Sequence, residues 1–145
     1  EEIGQISMGD VRDFSNFMGA LIDANSYAKL SGAIQLAKDS PDAEILIGGE
    51  CDDSKGWFVS PTVATVSDPR HELMRTEFFG PLLSVYVYED GDLEDTLALC
   101  ATGSDYALTG AVFAEDPAAM ARARDLVPVR GAVRVQIDVD PQSFL

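Results

Sequence analysis

The sequence predicts an α/β fold, a layered and largely parallel sheet with flanking helices. Three observations carry that expectation. Short apolar runs rich in Val, Ile and Tyr alternate with segments whose apolar residues recur at helical spacing. Clusters of Gly, Pro and Asp punctuate them at short intervals. Hydrophobic residues form 46% of the chain and are spread along it, enough for a packed core rather than a disordered coil. Strands separated by helices of this length need crossover connections, which favour parallel pairing.

Taken in order, the leading segment is ambiguous: Phe14, Phe17, Met18, Leu21 and Ile22 recur at helical spacing, but Gly19 interrupts them. Asp23 suits the N-cap of a helix running to about Lys38, with Tyr27, Leu30 and Ile34 on one stripe and Pro41 closing the exit. Residues 44–47 read as a short buried strand ending in Gly48-Gly49, and residues 51–56 as a polar turn before Trp57-Phe58-Val59. Residues 61–66 look like a strand. Asp68-Pro69 opens a short helix, because Asp suits the cap and Pro the first helical position, and Gly80-Pro81 stops it. Residues 82–88, rich in Val and Tyr, form a strong strand signal. Asp92 is placed to cap a helix to about Ala101, residues 110–114 make a strand, Asp116-Pro117 start a helix to about Val127, and residues 133–137 supply the last strand.

The charge balance narrows the function classes. The chain of 145 residues fits one domain, and its 25 Asp and Glu outnumber 10 Lys and Arg for a net charge of −15. Such a field opposes a phosphate backbone or an anionic membrane surface, so neither nucleic acid nor a membrane is an expected partner. No apolar run approaches the roughly 20 residues that span a bilayer. Residues 1–114 hold 20 acids and 6 bases, whereas residues 115–145 hold 5 and 4, which reads as a solvated acidic face followed by a small basic helix. The two cysteines cannot build a multi-bridge framework and no basic-then-apolar leader opens the chain, so a reducing cytoplasmic location is expected. The first residue is Glu1 rather than Met, which fits an upstream portion that is missing or removed and, equally well, a start point chosen by design.

Few residues invite chemistry. Neither GxGxxG nor GxxxxGK[ST] occurs, and Gly48-Gly49 is a turn. His71 lacks a Cys or His partner at metal-ligand spacing and is expected to be a helix-surface residue, so no metal site is predicted. Cys51 lies among Glu50, Asp52 and Asp53, charges that raise a thiol pKa and make a poor nucleophile. Cys100 follows Leu97 and Leu99 and is expected to be a small buried hydrophobe. Neither cysteine is a catalytic candidate. The stretch Met74-Arg75-Thr76-Glu77-Phe78-Phe79-Gly80-Pro81 differs, since it sets a carboxylate and two aromatics before a forced turn and a strand, and loops at strand ends often hold ligands. Glu77 could accept hydrogen bonds from a ribose diol and Phe79 could wall a flat ring; an exposed Glu and two core phenylalanines are the ordinary alternative.

That stretch resembles the Glu-x-Phe-Gly-Pro motif of NAD(P)-dependent aldehyde dehydrogenases. Gly56-Trp57-Phe58-Val59-Ser60-Pro61-Thr62 is similar to the family's Gly-aromatic-Phe-x-x-Pro-Thr stretch. Leu82-Leu83-Ser84-Val85-Tyr86-Val87-Tyr88 and Tyr106-Ala107-Leu108-Thr109-Gly110-Ala111-Val112-Phe113 resemble the branch that oxidises L-glutamate γ-semialdehyde in proline degradation. The run from Asp13-Phe14 to Ile22-Asp23 and the words Gly48-Gly49-Glu50-Cys51-Asp52-Asp53-Ser54 fit the same branch. The likeness covers residues 1–136, a partial catalytic domain, and leaves 137–145 as a divergent tail.

The resemblance implies that Glu77 holds the nicotinamide ribose and that Phe79 packs beside the nicotinamide. In such enzymes a cysteine thiolate attacks the aldehyde, NAD takes the hydride, and a glutamate activates water. The motifs that carry them, Gly-Gln-x-Cys and Glu-Leu-Gly-Gly, do not occur in these 145 residues, so no catalytic residue is assigned. Gln136 stands where Asn is usual, and Ala107 replaces a common glycine, which would strain the backbone if φ is positive there. The expectation is therefore an inactive dehydrogenase fragment with weak or no NAD binding of its own. Its exposed apolar surface would favour a homo-oligomer or association with the missing dehydrogenase domains. A stand-alone non-catalytic binding or assembly module is the alternative, since a fold does not carry function without its site.

Overall fold

A computed structural model describes residues 2–103, 110–127 and 133–136, with Asp90 and the last four described by backbone alone. The chain divides between Val87 and Tyr88 into two compact units. In the first, helix α1 (Ala24–Asp39) leads to strand β1 (Ala43–Ile47), then to the two-residue strands β2 (Cys51–Asp52) and β3 (Phe58–Val59). Strand β4 (Thr62–Val66), the short helix α2 (Glu72–Arg75) and strand β5 (Leu82–Tyr86) complete it.

The leading segment is not helical beyond a single 3₁₀ turn at Glu2–Gln5. Asp10 and Asp13 turn the chain instead, their carboxylates accepting the backbone N–H groups of Arg12 at 2.9 Å and Ser15 at 3.0 Å. Such side-chain bonds offer the backbone an alternative to a helix. The apolar residues consequently gather no common face: Phe14 is 97% exposed and Ile22 88%.

Helix α1 begins where its cap predicts. The Asp23 carboxylate accepts the Ser26 N–H at 2.7 Å, and Ser40 ends the helix in an extended conformation just before Pro41. Its buried face is Leu30, Ala33, Ile34 and Ala37, a stripe at helical spacing that includes two alanines beside the predicted leucine and isoleucine. Ala33 and Ala37 meet Ala64 and Val66 of β4 and Leu73 of α2, while Leu30 and Ile34 pack with Val59. Small residues on both surfaces let helix and sheet approach closely. Burying Leu30 and Ile34 completely contributes about 1.5–3 kcal/mol each.

The sheet is mixed rather than largely parallel. Its order is β1-β4-β5, with β1 antiparallel to β4 and β5 parallel to β4. The short link between β4 and α2 still allows parallel pairing because α2 supplies the crossover. The loop from β1 to β4, by contrast, is a hairpin-like return through the antiparallel β2–β3 pair. Cys51 and Asp52 are thus strand residues, not part of the polar turn. In β1 only alternate residues are covered, and Leu46 is 57% exposed, so the strand has one buried face rather than two. Strand β5 stops at Tyr86, and Val87 and Tyr88 lie beyond it.

Helix α2 departs from expectation at both ends. His71, not Asp68, caps it: the ring Nδ1 accepts the Leu73 N–H at 3.2 Å, which puts the ring proton on Nε2, 3.1 Å from the Ser40 hydroxyl oxygen. Asp68 makes the preceding turn by accepting the Arg70 N–H at 2.8 Å. The helix ends at Arg75, well before Gly80, so residues 76–81 are a loop.

The second unit contains α3 (Leu93–Thr102), β6 (Gly110–Phe113), α4 (Pro117–Leu126) and β7 (Val133–Gln136). Strands β6 and β7 pair in parallel across α4. Asp116 caps α4 through the Ala118 N–H at 2.8 Å with Pro117 in the first turn, as the sequence predicts. Asp92 occupies the cap position of α3 without a side-chain hydrogen bond. Leu97 and Ala123 are the buried residues of α3 and α4, and Arg122 reaches Glu94 at 3.0 Å between them.

Thr62 joins the pieces of the first unit. Only 2% exposed, it accepts the Gly49 N–H at 3.0 Å and donates to the Ser60 carbonyl at 2.7 Å through the same hydroxyl. Its own N–H donates to the Pro81 carbonyl at 2.8 Å. Replacing Thr62 by Val keeps the shape but strands the buried Gly49 N–H, and we expect a loss of about 1–3 kcal/mol. Urea unfolding of Thr62→Val beside Thr62→Ser measures it; equal midpoints for the valine variant and the parent would refute the role.

Candidate functional site

The two residues singled out by the sequence, Glu77 and Phe79, lie on the loop between α2 and β5. Thr76 leaves the helix with its N–H on the Glu72 carbonyl at 2.9 Å and turns the chain extended. Phe78 then turns inward and packs against both core clusters, while Glu77 and Phe79 face outward. Phe79 is 79% exposed and has φ +57, the left-handed region that a bulky side chain rarely adopts. Such a conformation costs of order 1–3 kcal/mol and persists only where the surroundings determine it.

Those surroundings are identifiable. Gly80 lies so close to α1 that an added Cβ would stand 1.9 Å from Leu30 Cδ1. The Leu82 N–H returns to the Gly80 carbonyl at 2.8 Å, and the Pro81 carbonyl is held by Thr62. From the other side, the Lys29 ammonium donates to the Glu77 carbonyl and stands 5.6 Å from the centre of the Phe78 ring and 6.0 Å from that of Phe79. The loop borders a cleft of about 370 Å³ lined by Leu73, Met74, Glu77, Phe78, Phe79 and Ser84. It leads into the N-terminal end of β5. The general preference for ligands at the carboxyl ends of parallel strands therefore does not account for this cleft.

The other candidates fall elsewhere. Cys51 is partly buried on β2, and burial, more than its acidic neighbours, pushes its thiol pKa up; Lys38 pulls it down and Glu50 adds to the rise. The direction matches the sequence reading, but the leading cause is different. Cys100 is exposed rather than buried, although it lies one turn on from the buried Leu97 of α3. His71 is a capping residue. Among the described residues no group of three His, Cys, Asp or Glu could hold a metal ion, and no helix is long and apolar enough to cross a membrane. Gln136 ends β7, while Ala107 and the tail 137–145 lie outside the described residues.

Lys29 was not a sequence candidate. It is separated from Glu77 by 48 positions, and a lysine on an exposed helix turn gives no local signal of such a contact.

Comparison with known proteins gives this geometry a context. The model of the aldehyde dehydrogenase family matches residues 1–135. A mitochondrial Delta-1-pyrroline-5-carboxylate dehydrogenase of Dictyostelium discoideum is 50% identical over 111 residues, 77% of this chain and 20% of that protein. Its human counterpart is 46% identical over 117 residues, 80% of this chain and 21% of that one. The crystal structure of the Delta-pyrroline-5-carboxylate dehydrogenase from Mycobacterium tuberculosis superposes with a TM-score of 0.84 at 43% identity, covering 94% of this chain and 25% of that one. The same enzyme bound with NAD gives a TM-score of 0.78, covering 94% and 24%. The chain thus spans about a fifth to a quarter of the length of the relatives it matches.

The close approach at Gly80 has a measurable consequence. Leu30 is completely buried and cannot withdraw, so Gly80→Ala is expected to cost about 1–3 kcal/mol by overpacking. A shift of the urea midpoint to lower concentration would show it; an unchanged midpoint would mean that the loop and α1 are not in tight contact.

Proposed function

The chain belongs to the aldehyde dehydrogenase family, and from that premise we propose that it is the segment of a catalytic domain that walls the nicotinamide ribose of NAD. The parent enzyme would oxidise L-glutamate γ-semialdehyde to glutamate, a reading supported by the relatives named as Delta-1-pyrroline-5-carboxylate dehydrogenases.

The single observation that carries the reading is the pair of outward side chains on one constrained loop, an exposed carboxylate at Glu77 and a 79% exposed ring at Phe79 beside the cleft. The donor set suits a ribose and a flat ring. A carboxylate accepts hydrogen bonds through both oxygens, which matches a vicinal diol. An aromatic face offers a flat apolar wall that excludes water from one side. Bound NAD would supply the two-electron acceptor for the oxidation. The chain's own part is to orient: Glu77 fixes the ribose, and Phe79 limits the depth and tilt at which the ring attached to it can lie. The nucleophile and the water-activating base are not among these 145 residues, which contain neither Gly-Gln-x-Cys nor Glu-Leu-Gly-Gly.

Two measurements test the reading. The purified 145-residue chain should produce no NADH from NAD and the aldehyde, and calorimetry should find weak or no NAD binding. In the longer dehydrogenase, Glu77→Gln and Phe79→Ala should each lower kcat/KM for NAD by about 10- to 100-fold, the size expected when charged or stacking contacts to a cofactor are removed. Values within twofold of the parent for both variants would overturn it.

The same reading bears on assembly. Phe14, Phe17 and Ile22 are each exposed on the leading segment, and exposed apolar side chains seek cover. We expect the isolated chain to self-associate, through this surface or one that other dehydrogenase domains would cover. Sedimentation velocity that returned a clean monomer at high concentration would contradict it.

A further inference from the structure

We propose that Lys29 is the positioning residue of the Glu77–Phe79 loop, its ammonium holding both the backbone and the aromatic ring in the orientation the cleft presents. The inference rests on the proposed role of that loop for its meaning, but its geometry stands independently.

One cation reaches three points of the loop. It donates to the Glu77 carbonyl and stands 5.6 Å and 6.0 Å from the centres of the Phe78 and Phe79 rings. A carbonyl lone pair and an aromatic face are both electron-rich, so a compact ammonium is attracted to each. The hydrogen bond lies one peptide before Phe78 and two before Phe79, the residue at φ +57. The C-terminal side of the loop is already tied by Thr62 to the Pro81 carbonyl and by the packing of Leu30 under Gly80. Leu30 follows Lys29 directly, so a single turn of α1 grips the loop from beneath at Gly80 and from the side at Glu77. Because Asp23 caps α1 and the helix is buried through four residues, Lys29 projects from a rigid support. A flexible lysine could not fix a left-handed phenylalanine by itself; anchored beside Leu30, it needs only to choose between the ways the ring and carbonyl can point.

The experiment compares Lys29→Met, Lys29→Arg and the parent 145-residue chain by NMR. Methionine preserves the length and helix preference of the side chain but removes the charge. In Lys29→Met we expect the amide-to-α-proton coupling of Phe79 to leave the value of the left-handed region, cross-peaks between residue 29 and the Phe79 ring to vanish, and the amides of residues 77–80 to shift. Resonances of Thr62 and the rest of β4 should stay in place. Lys29→Arg should restore the coupling, since a guanidinium keeps the charge and the donors. If the methionine variant does not fold, Lys29→Gln carries the same comparison. An unchanged Phe79 coupling and unchanged amides in the neutral variant would overturn the proposal, as would failure of arginine to restore them. These readouts need no cofactor. Their failure would leave the ribose-binding reading standing, whereas unaffected NAD kinetics in Glu77→Gln and Phe79→Ala would sink that reading without touching the role of Lys29.

Discussion

The first unit depends on a buried threonine. Thr62 opens β4, the central strand of the sheet, and its hydroxyl and N–H bind three separate stretches: the turn after β1 at Gly49, the approach to β4 at Ser60, and the end of the cleft loop at Pro81. A buried hydroxyl is costly unless both its donor and its acceptor capacity are used, and here both are. Valine would fit the same space but could make none of the side-chain bonds. The neighbouring Gly48 and Gly49 have φ +78 and +89, and a Cβ on Gly48 would stand 2.2 Å from the Pro61 carbonyl oxygen. Glycine is therefore required at the point where the two stretches of backbone meet.

This arrangement explains how a surface loop can carry a strained residue. Phe79 stays at φ +57 because the chain is held on both sides: Lys29 binds the Glu77 carbonyl before it, and after it Gly80 is pressed on Leu30, Pro81 is bonded to Thr62, and β5 follows at once in register with β4. The loop is a tether of fixed length between the end of α2 and a strand whose register is set by five paired positions. Individual surface contacts such as those of Lys29 are modest, about 0.5–1 kcal/mol for an exposed cation over an aromatic ring. Together with the bond to the Glu77 carbonyl they suffice to select one orientation of backbone and ring in a loop whose choices packing has already narrowed.

Helix α1 links the core to both of its loops. Its buried stripe sets the distance to the sheet, and its two lysines reach carbonyls beyond it, Lys29 at Glu77 and Lys38 at Gly49, the latter at 2.7 Å. The same helix that supplies Leu30 and Ile34 to the core thus also orients the carbonyls of two turns. Exposed charge on the helix is not idle surface here, because each ammonium lies over a backbone turn that has few internal bonds of its own to make.

The sequence by itself determined the elements whose signals are local. Asp23 and Asp116 cap helices because an Asp carboxylate can reach an N–H two or three residues on, whatever the rest of the chain does. The spacing of Leu30 and Ile34 and the apolar runs of β4 and β5 were equally legible, as was the family likeness carried by Glu77, Phe79, Gly80 and Pro81. Tertiary structure decided everything that depends on what lies opposite. It made the sheet mixed, because the sense in which β1 returns along β4 depends on the path through β2 and β3. It gave the α2 cap to His71, because Ser40 of a distant turn is there to hold the ring, and it left Cys100 exposed, because nothing among the described residues covers the last turn of α3 at that position. It brought Lys29 to Glu77 across 48 residues, since an ammonium on a helix has no preference of its own until the fold places a carbonyl and two rings within its reach.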